Sequence, residues 1–184
     1  MRRGLELVSE IVIVLVADEP PERVLKAIAL PGVEEYGGHD GRRATIRFAG
    51  GDGCQIVVTP SANLGAVLIQ ATGSQGHLEA LTERARAAGL AFRGAALWRG
   101  SEFIATPDEA AVYQALGLEY LPPELREGDD EVARAAAPLP PLVTRADLRG
   151  LLHCHTSYSD GSFSVRDLAR ICGEAGSLRR RHRP

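Results

Sequence analysis

The stretch SANLGAVLIQATGSQGHLEALTERARAAGL, residues 61–90, decides how the middle of this chain folds. Its apolar residues recur every three or four positions on both sides of a central interruption, which is the spacing of two amphipathic helices. They are Leu64, Val67, Leu68 and Ala71 before the interruption, and Leu78, Leu81, Ala85 and Ala88 after it. Because Thr72-Gly73-Ser74 interrupts the pattern and Gly89 ends it, the stretch predicts a helix, a tight turn and a second helix.

The Thr72-Gly73-Ser74 turn has two interpretations. A flexible backbone at the start of a new helix exposes free N–H groups, and such groups attract phosphate. Ser74 can instead serve as the N-cap of a plain helical corner. The residues themselves leave both interpretations open.

Upstream, the sequence predicts a strand, a helix and two further strands. Residues 7–16 are apolar and largely β-branched, which is typical of a strand buried on both faces, and residues 18–21 supply a turn. Helical spacing follows at Val24, Leu25, Ile28 and Ala29, before Pro31-Gly32. The segments ATIRFAG (44–50) and GCQIVVTP (53–60) flank a glycine-rich turn, which predicts a hairpin.

Downstream, FIATPDEAAVYQALGLEYLPPELREG (103–128) predicts a short strand and then a helix. Thr106 and Pro107 are expected to open this helix, and Gly117 to end it before an extended segment. Residues 128–144 shift to charge, alanine and proline, a composition typical of a linker.

The segment LLHCHTSYSDGSF (151–163) contains candidate metal ligands. His153 and His155 alternate, so on a strand they point to one face, and Asp160 follows in a loop. Two imidazoles and a carboxylate suit zinc, manganese or iron. The alternative is a structural or incidental pair of histidines on an edge strand.

Bulk composition limits the classes of protein that fit. With 184 residues, 45% hydrophobic residues, 24% charged residues and a net charge of −3, the chain has the composition of one or two small globular domains. No apolar run approaches the roughly 18 residues that span a bilayer, so we expect a cytoplasmic protein without membrane contact. Three widely spaced cysteines predict no disulfide framework.

Four segments together resemble bacterial family X DNA polymerases: RRGLELVSEIVIVLVA, QATGSQGHLEAL, FIATPDEAAVYQALGLEYLPPELREG and DLRGLLHCHTSYSDG. Those enzymes join a polymerase β-like core to a C-terminal PHP phosphoesterase domain. The resemblance implies an α+β fold: part of a nucleotidyltransferase palm with a mixed sheet and helix at 1–60, and a helical thumb with a small sheet at 61–127. The resemblance further implies a linker at 128–146. It also implies that residues 147–184 form the first strand and helix of a PHP α/β barrel-like domain.

The resemblance assigns catalytic positions that this chain fills with other residues. Family X polymerases hold two Mg²⁺ ions with three aspartates, and the matching positions here are Glu10, Val12 and Gln55. One carboxylate stands where three are expected, so we expect no Mg²⁺ pair to bind.

For the incoming dNTP, the resemblance assigns phosphate contact to Arg3 and the sugar-side turn to Thr72, Gly73 and Ser74. At other nucleotide- and DNA-contacting positions this chain differs from the family. It has Gln70 and Ala71 where the family usually has a Tyr-Phe pair, Gln75 where a lysine is common, and Leu78 where an asparagine is usual. The resemblance therefore implies DNA and dNTP as partners, with weakened binding, and says nothing of oligomeric state.

His153, His155 and Asp160 match the first metal-binding motif of PHP domains, for which the resemblance implies Zn²⁺ or Mn²⁺. Met1 falls inside the family's palm-opening motif, and the basic residues 177–184 stand where an apolar strand is expected. We therefore expect both ends to be truncated relative to the family and the metal site to be incomplete.

Two classes of function stay open at this point. One is an active DNA polymerase with phosphoesterase or 3'-5' exonuclease activity in DNA repair synthesis. The other is an inactive palm and thumb that binds DNA weakly, or an interrupted-gene product without function. A weaker third possibility is that the chain complements another one that carries further domains.

Overall fold

The computed structural model of the chain describes residues 2–4, 10–27, 33–37, 42–48, 53–148, 150 and 152–174. The chain divides into two compact units, residues 1–139 and residues 140–184. Helices and β-sheets both occur, so the predicted α+β class is confirmed. Predictions for Met1 and for residues 7–9, 28–32, 49–52 and 175–184 lie outside the described residues.

A four-stranded mixed sheet begins the first unit. Its strands are β1 (Ile11–Val16), β2 (Val33–Gly37), β3 (Arg43–Phe48) and β4 (Gly53–Thr59), in the spatial order β1-β4-β3-β2. β1 runs parallel to β4, and the other neighbouring pairs are antiparallel. Helix α1 (Pro21–Ala27) packs against β4, where its Val24 and Leu25 join a buried cluster of Ile46, Cys54, Ile56 and Val58.

The prediction that β1 is buried on both faces is wrong for the described residues. Ile11, Ile13 and Val16 are 47%, 39% and 50% exposed. β1 lies at the edge of the sheet, and α1 packs against the more central β4, so the apolar run is only partly covered. The predicted β3–β4 hairpin is confirmed. Strand β2 was not predicted, because two glutamates interrupt the apolar pattern of its sequence, VEEYG.

Three helices and a three-stranded sheet make up most of the rest of the first unit in the described part of the chain. They are α2 (Leu64–Thr72), α3 (Gln75–Ala87), β5 (Ala91–Arg93), β6 (Ala96–Arg99), β7 (Glu102–Ile104) and a further helix, α4 (Glu109–Ala115). The predicted helix, turn and helix are thus confirmed. Thr106 and Pro107 do not open α4, because the Asp108 carboxylate caps it by accepting a 2.8 Å hydrogen bond from the backbone N–H of Ala111.

The predicted linker and the predicted strand at the histidines differ from the structure. Residues 128–139 belong to the first unit, where α5 (Glu131–Arg134) buries Val132 in the core of α2, α3 and α4. The second unit contains α6 (Val165–Glu174). Residues 152–156 form no strand, and His153 has a φ of 55°. A strand needs a neighbour for its N–H and C=O groups, and the described part of the second unit contains none.

Candidate active site and nucleic-acid interface

Glu10, Val12 and Gln55 lie together at one end of the β1–β4 pair. Val12 is the register partner of Gln55 on the neighbouring strand. The Gln55 Nε2 donates a 2.6 Å hydrogen bond to Glu10 Oε1. The three side chains line a cleft between the four-stranded sheet and α2, together with Arg43, Val57, Val67, Gln70, Ala71 and Gly73.

The donors of this cleft do not fit two Mg²⁺ ions. Hard divalent cations that bridge phosphates require several carboxylate oxygens. Glu10 is the only carboxylate among the described residues that line the cleft. Val12 offers no oxygen, and the Gln55 amide is neutral and directs its nitrogen at Glu10. Across the described ranges no three His, Cys, Asp or Glu side chains form a group that could hold a metal ion.

The hydroxyls of the Thr72-Gly73-Ser74 turn are engaged within the protein. Thr72 Oγ1 donates to the Leu68 carbonyl at 2.6 Å and accepts from Arg126 at 2.8 Å. Ser74 Oγ accepts from the backbone N–H of His77 at 3.1 Å, which confirms Ser74 as the N-cap of α3. The Ser74 N–H donates to the Arg126 carbonyl at 3.2 Å. The Gly73 N–H donates to the Ile69 carbonyl at 2.8 Å, so two backbone donors of this turn are used, while Gly73 lines the cleft.

Arg3 pairs with a carboxylate outside the cleft. Its Nη2 lies 2.6 Å from Glu127 Oε2, and 18% of its side chain is exposed. Arg2 makes a two-pronged contact with Glu109, at 3.1 and 2.5 Å. The guanidinium that was expected to contact the triphosphate is thus beside Glu127, in the segment that precedes α5.

Arg126 is the centre of a buried polar network that sequence reasoning missed. Its guanidinium is fully buried, contacts Glu109 at 2.5 Å, and donates twice to the Leu121 carbonyl, at 3.0 and 2.8 Å. The guanidinium also lies 5.6 Å from the centroid of the Tyr113 ring. Burial acts to raise the pKa of Glu109, but hydrogen bonds from Arg2 and Arg126 outweigh it and hold that pKa below its usual value.

His77 forms a second buried network. Its Nδ1 lies 2.7 Å from Glu131 Oε1, and its Nε2 lies 3.0 Å from the Tyr113 hydroxyl. Burial lowers the pKa of His77, although the hydrogen bond to Glu131 opposes that effect. A neutral imidazole satisfies both contacts, by donating to the carboxylate and accepting from the phenol.

Gly128 brings the chain onto the first turn of α3. Its backbone N–H donates to Glu131 Oε1 at 3.1 Å, and its φ is 92°. A Cβ atom at this position would lie 2.8 Å from Ser74 Oγ and 2.9 Å from the His77 nitrogen. Only glycine permits this close approach. Arg126 and Gly128 both lie in the LPPELREG segment, which carries the family resemblance.

His155 and Asp160 are adjacent in the second unit. The His155 Nδ1 is hydrogen-bonded to Asp160 Oδ1, and the rings of His153 and His155 have centroids 5.2 Å apart. The hydrogen bond from His155 holds the pKa of Asp160 below its usual value. Gly161 closes the loop, since its N–H donates to the Thr156 carbonyl at 3.0 Å and a Cβ there would lie 2.4 Å from the His155 carbonyl.

Comparison with known proteins agrees with this arrangement. Residues 67–127 match a family described as DNA polymerase beta thumb. Over 180 residues the chain is 26% identical to the DNA polymerase/3'-5' exonuclease PolX of Bacillus subtilis (strain 168). This is a family X DNA polymerase-like chain. The resemblance expected from the sequence is confirmed, and so is the presence of a thumb.

The polymerase X-like chain covers only part of its curated relative. The aligned region is 96% of this chain and 31% of the Bacillus subtilis protein, so the chain spans about a third of that relative's length. The match to the thumb family includes most of α2 and all of α3, the β5–β7 sheet and α4, together with Arg126. The described helices of this chain include none that is both long and apolar enough to cross a membrane.

Proposed function

We propose that this polymerase X-like chain contacts DNA weakly through its thumb and does not catalyse nucleotide incorporation. The observation that carries the proposal is the hydrogen bond from Gln55 to Glu10 beside Val12. A neutral amide and an alkyl group occupy positions at which the family resemblance implies carboxylates.

Nucleotidyl transfer requires a centre that activates the primer hydroxyl and holds the departing pyrophosphate. In this cleft the Glu10 carboxylate accepts a hydrogen bond from Gln55, and Val12 supplies no oxygen. Arg43 also lines the cleft and can attract phosphate, but an arginine remains protonated and cannot accept the hydroxyl proton. The described side chains thus support phosphate contact better than they support proton removal.

The charges of α3 favour weak DNA contact. Near its start, Gln75 donates to Glu79 at 2.7 Å. Its basic residues lie in the last turn, where Arg84 donates to the Leu116 carbonyl at 2.9 Å and Arg86 pairs with Glu83 at 2.5 Å. Because these arginines already have partners and the chain has a net charge of −3, we expect few contacts with DNA phosphates.

The same proposal assigns the DNA contact to DNA repair in the cytoplasm, without nucleotide incorporation by this chain, and includes dNTP as a weakly bound partner. It rests on similarity to the Bacillus subtilis polymerase and exonuclease. For the second unit we extend it to weak binding of Zn²⁺ or Mn²⁺ at His153, His155 and Asp160, in a PHP-like segment. As they are placed, these three side chains do not form a metal-binding group, so binding requires them to rearrange, which keeps it weak. The contact between His155 and Asp160 supports that extension.

A primer-extension assay on gapped DNA tests the proposal. With Mg²⁺ or Mn²⁺ we expect no extension above a protein-free sample. We expect fluorescence anisotropy to show weak binding of the same DNA, with only a shallow dependence on salt because few phosphates are contacted. Template-dependent extension that disappears in Glu10→Ala but persists in Glu83→Ala, a control on an exposed α3 carboxylate, would instead establish an active polymerase.

A further inference from the structure

One face of the β5–β7 sheet carries an arginine and two aromatic residues. Trp98 is the register partner of both Ala91 and Phe103, so these side chains share a face. Arg93 lies two residues beyond Ala91 and therefore projects from that face as well. The opposite face packs on the core, where Leu97 is buried and Phe92 and Ile104 are partly buried against it. The face with Arg93, Trp98 and Phe103 is called the aromatic face below.

The contacts of the aromatic face hold its groups in fixed positions. The Arg93 guanidinium carbon lies 5.5 Å from the centroid of the Trp98 ring, and Arg93 Nη2 donates to the Gly100 carbonyl at 2.8 Å. The Trp98 and Phe103 rings are 5.6 Å apart, with their planes at 67°. Arg93 is therefore placed by a backbone carbonyl and an indole, and no carboxylate is among its contacts with the described residues. Its charge is available to an anionic ligand.

A groove runs from the aromatic face to the four-stranded sheet. Arg93 and Trp98 line it together with Arg42 and Arg43, and the small residues 94–96 leave it open on one side. The described residues that line it include three arginines and no aspartate or glutamate. A long anionic ligand with planar groups has complementary charge and shape to such a groove.

We propose that this groove binds single-stranded DNA by stacking an unpaired base on the Arg93–Trp98 pair, with the Arg93 charge beside the adjacent phosphate. The inference rests on the proposed DNA contact and adds a preference for unpaired DNA. Bases stack on aromatic rings and on guanidinium planes irrespective of sequence. In a duplex both faces of each base are covered by adjacent base pairs, so a duplex cannot stack in the same way.

Trp98 is the only tryptophan, so its fluorescence reports directly on the site. Titration of the full chain with a short oligothymidylate is expected to quench that fluorescence. An abasic oligonucleotide of equal length, which has the same phosphates without bases, and a duplex are expected to quench it much less.

Variants separate stacking from charge. By anisotropy with labelled oligothymidylate, Trp98→Ala and Arg93→Gln are each expected to weaken binding about tenfold, or about 1.4 kcal/mol. Trp98→Tyr should retain most of the affinity, because a phenol ring still stacks. Arg99→Gln is the matched control, since Arg99 is on the same strand but does not line the groove.

Circular dichroism and thermal unfolding must show that these variants fold. DNA binding that leaves the Trp98 fluorescence unchanged, with Trp98→Ala and Arg93→Gln as tight as the parent chain, overturns this inference and leaves the proposed DNA contact intact. Absence of binding to single-stranded, gapped and duplex DNA alike overturns both.

Discussion

Single buried residues connect distant parts of the first unit. Arg126 contacts Glu109, the Thr72 hydroxyl and the Leu121 carbonyl, while His77 joins Glu131 to the Tyr113 hydroxyl. Removing one partner of a buried ion pair leaves an uncompensated charge, at a cost of about 3–5 kcal/mol. These groups therefore fix how the segment before α5 packs on α3, and they engage the hydroxyl groups of the turn that was expected to bind nucleotide.

The buried ionisable groups predict that acid destabilises the first unit. The pKa of His77 is lowered from 6.5, and those of Glu109 and Glu131 are lowered from 4.5. A group with a lowered folded-state pKa stabilises the fold above its unfolded-state pKa and loses that contribution as the pH falls. Stability should therefore decline from about pH 6.5, first through His77 and then through the glutamates. Urea unfolding followed by Trp98 fluorescence at pH 7.5, 6 and 5 measures it.

A variant isolates the contribution of the imidazole. His77→Gln removes the titrating group while retaining an amide, so its stability should vary less between pH 7.5 and 6 than that of the parent chain. His153→Gln, at an exposed histidine, is the matched control and should follow the parent. A free energy of unfolding that is higher at pH 5 than at pH 7.5 would contradict the prediction.

At the scale of elements, two short loops are shaped by glycine. Gly128 lets the segment before α5 cross the start of α3, and Gly161 closes the loop after the histidines. The second loop brings His155 and Asp160 together without a neighbouring strand. Donors that come from one loop leave most coordination positions of a metal to water, which limits affinity.

Metal binding by the second loop is therefore expected to be weak. Equilibrium dialysis of the full chain with Zn²⁺ and with Mn²⁺ should show no tight stoichiometric uptake, and His153→Ala should reduce the weak uptake. Cys172→Ser, at a buried thiol outside the proposed ligand set, serves as the control. A tight site with one ion per chain that is abolished by His153→Ala would show that the donor set is more complete than this loop provides.

For the whole molecule, the two units differ in their cores. The first contains two buried clusters, one under the four-stranded sheet and one among α2, α3, α4 and the β5–β7 sheet. In the second, Cys172 is the only buried hydrophobic side chain among the described residues. Ordering a backbone costs about 1–2 kcal/mol per residue, and burial of apolar surface must offset that cost.

Hydrogen exchange is expected to separate the two units. Amides of β4 and α3 should exchange slowly, because they are hydrogen-bonded within elements that line a core, whereas amides of residues 152–172 should exchange at least tenfold faster. Mass spectrometry of peptides from the intact chain gives both rates in one experiment. Equal protection of residues 152–172 and of β4 would mean that the second unit has a core of its own.

Local patterns account for what could be predicted. The α2–α3 corner, its Ser74 cap and the β3–β4 hairpin follow from apolar spacing, a short polar side chain and glycine, all of which act over a few residues. The gathering of Glu10, Val12 and Gln55 followed only from the family resemblance. The strand expected at His153 failed because alternation alone does not supply a partner strand.

The sequence by itself determined the α+β class and the helical thumb, and through the family resemblance it predicted the replacement of carboxylates at Val12 and Gln55. Only the tertiary structure decided that Gln55 donates to Glu10, that β1 lies at a sheet edge, and that Arg126 and His77 occupy buried networks. Arg93 and Trp98 likewise came to share a groove with Arg42 and Arg43 because α2 contacts both sheets. The physical reason is the sequence separation of the contacting residues. A periodic pattern indicates which residues are neighbours within a helical turn or a strand. Pairs such as Arg2 and Glu109 are 107 residues apart and leave no periodic signal.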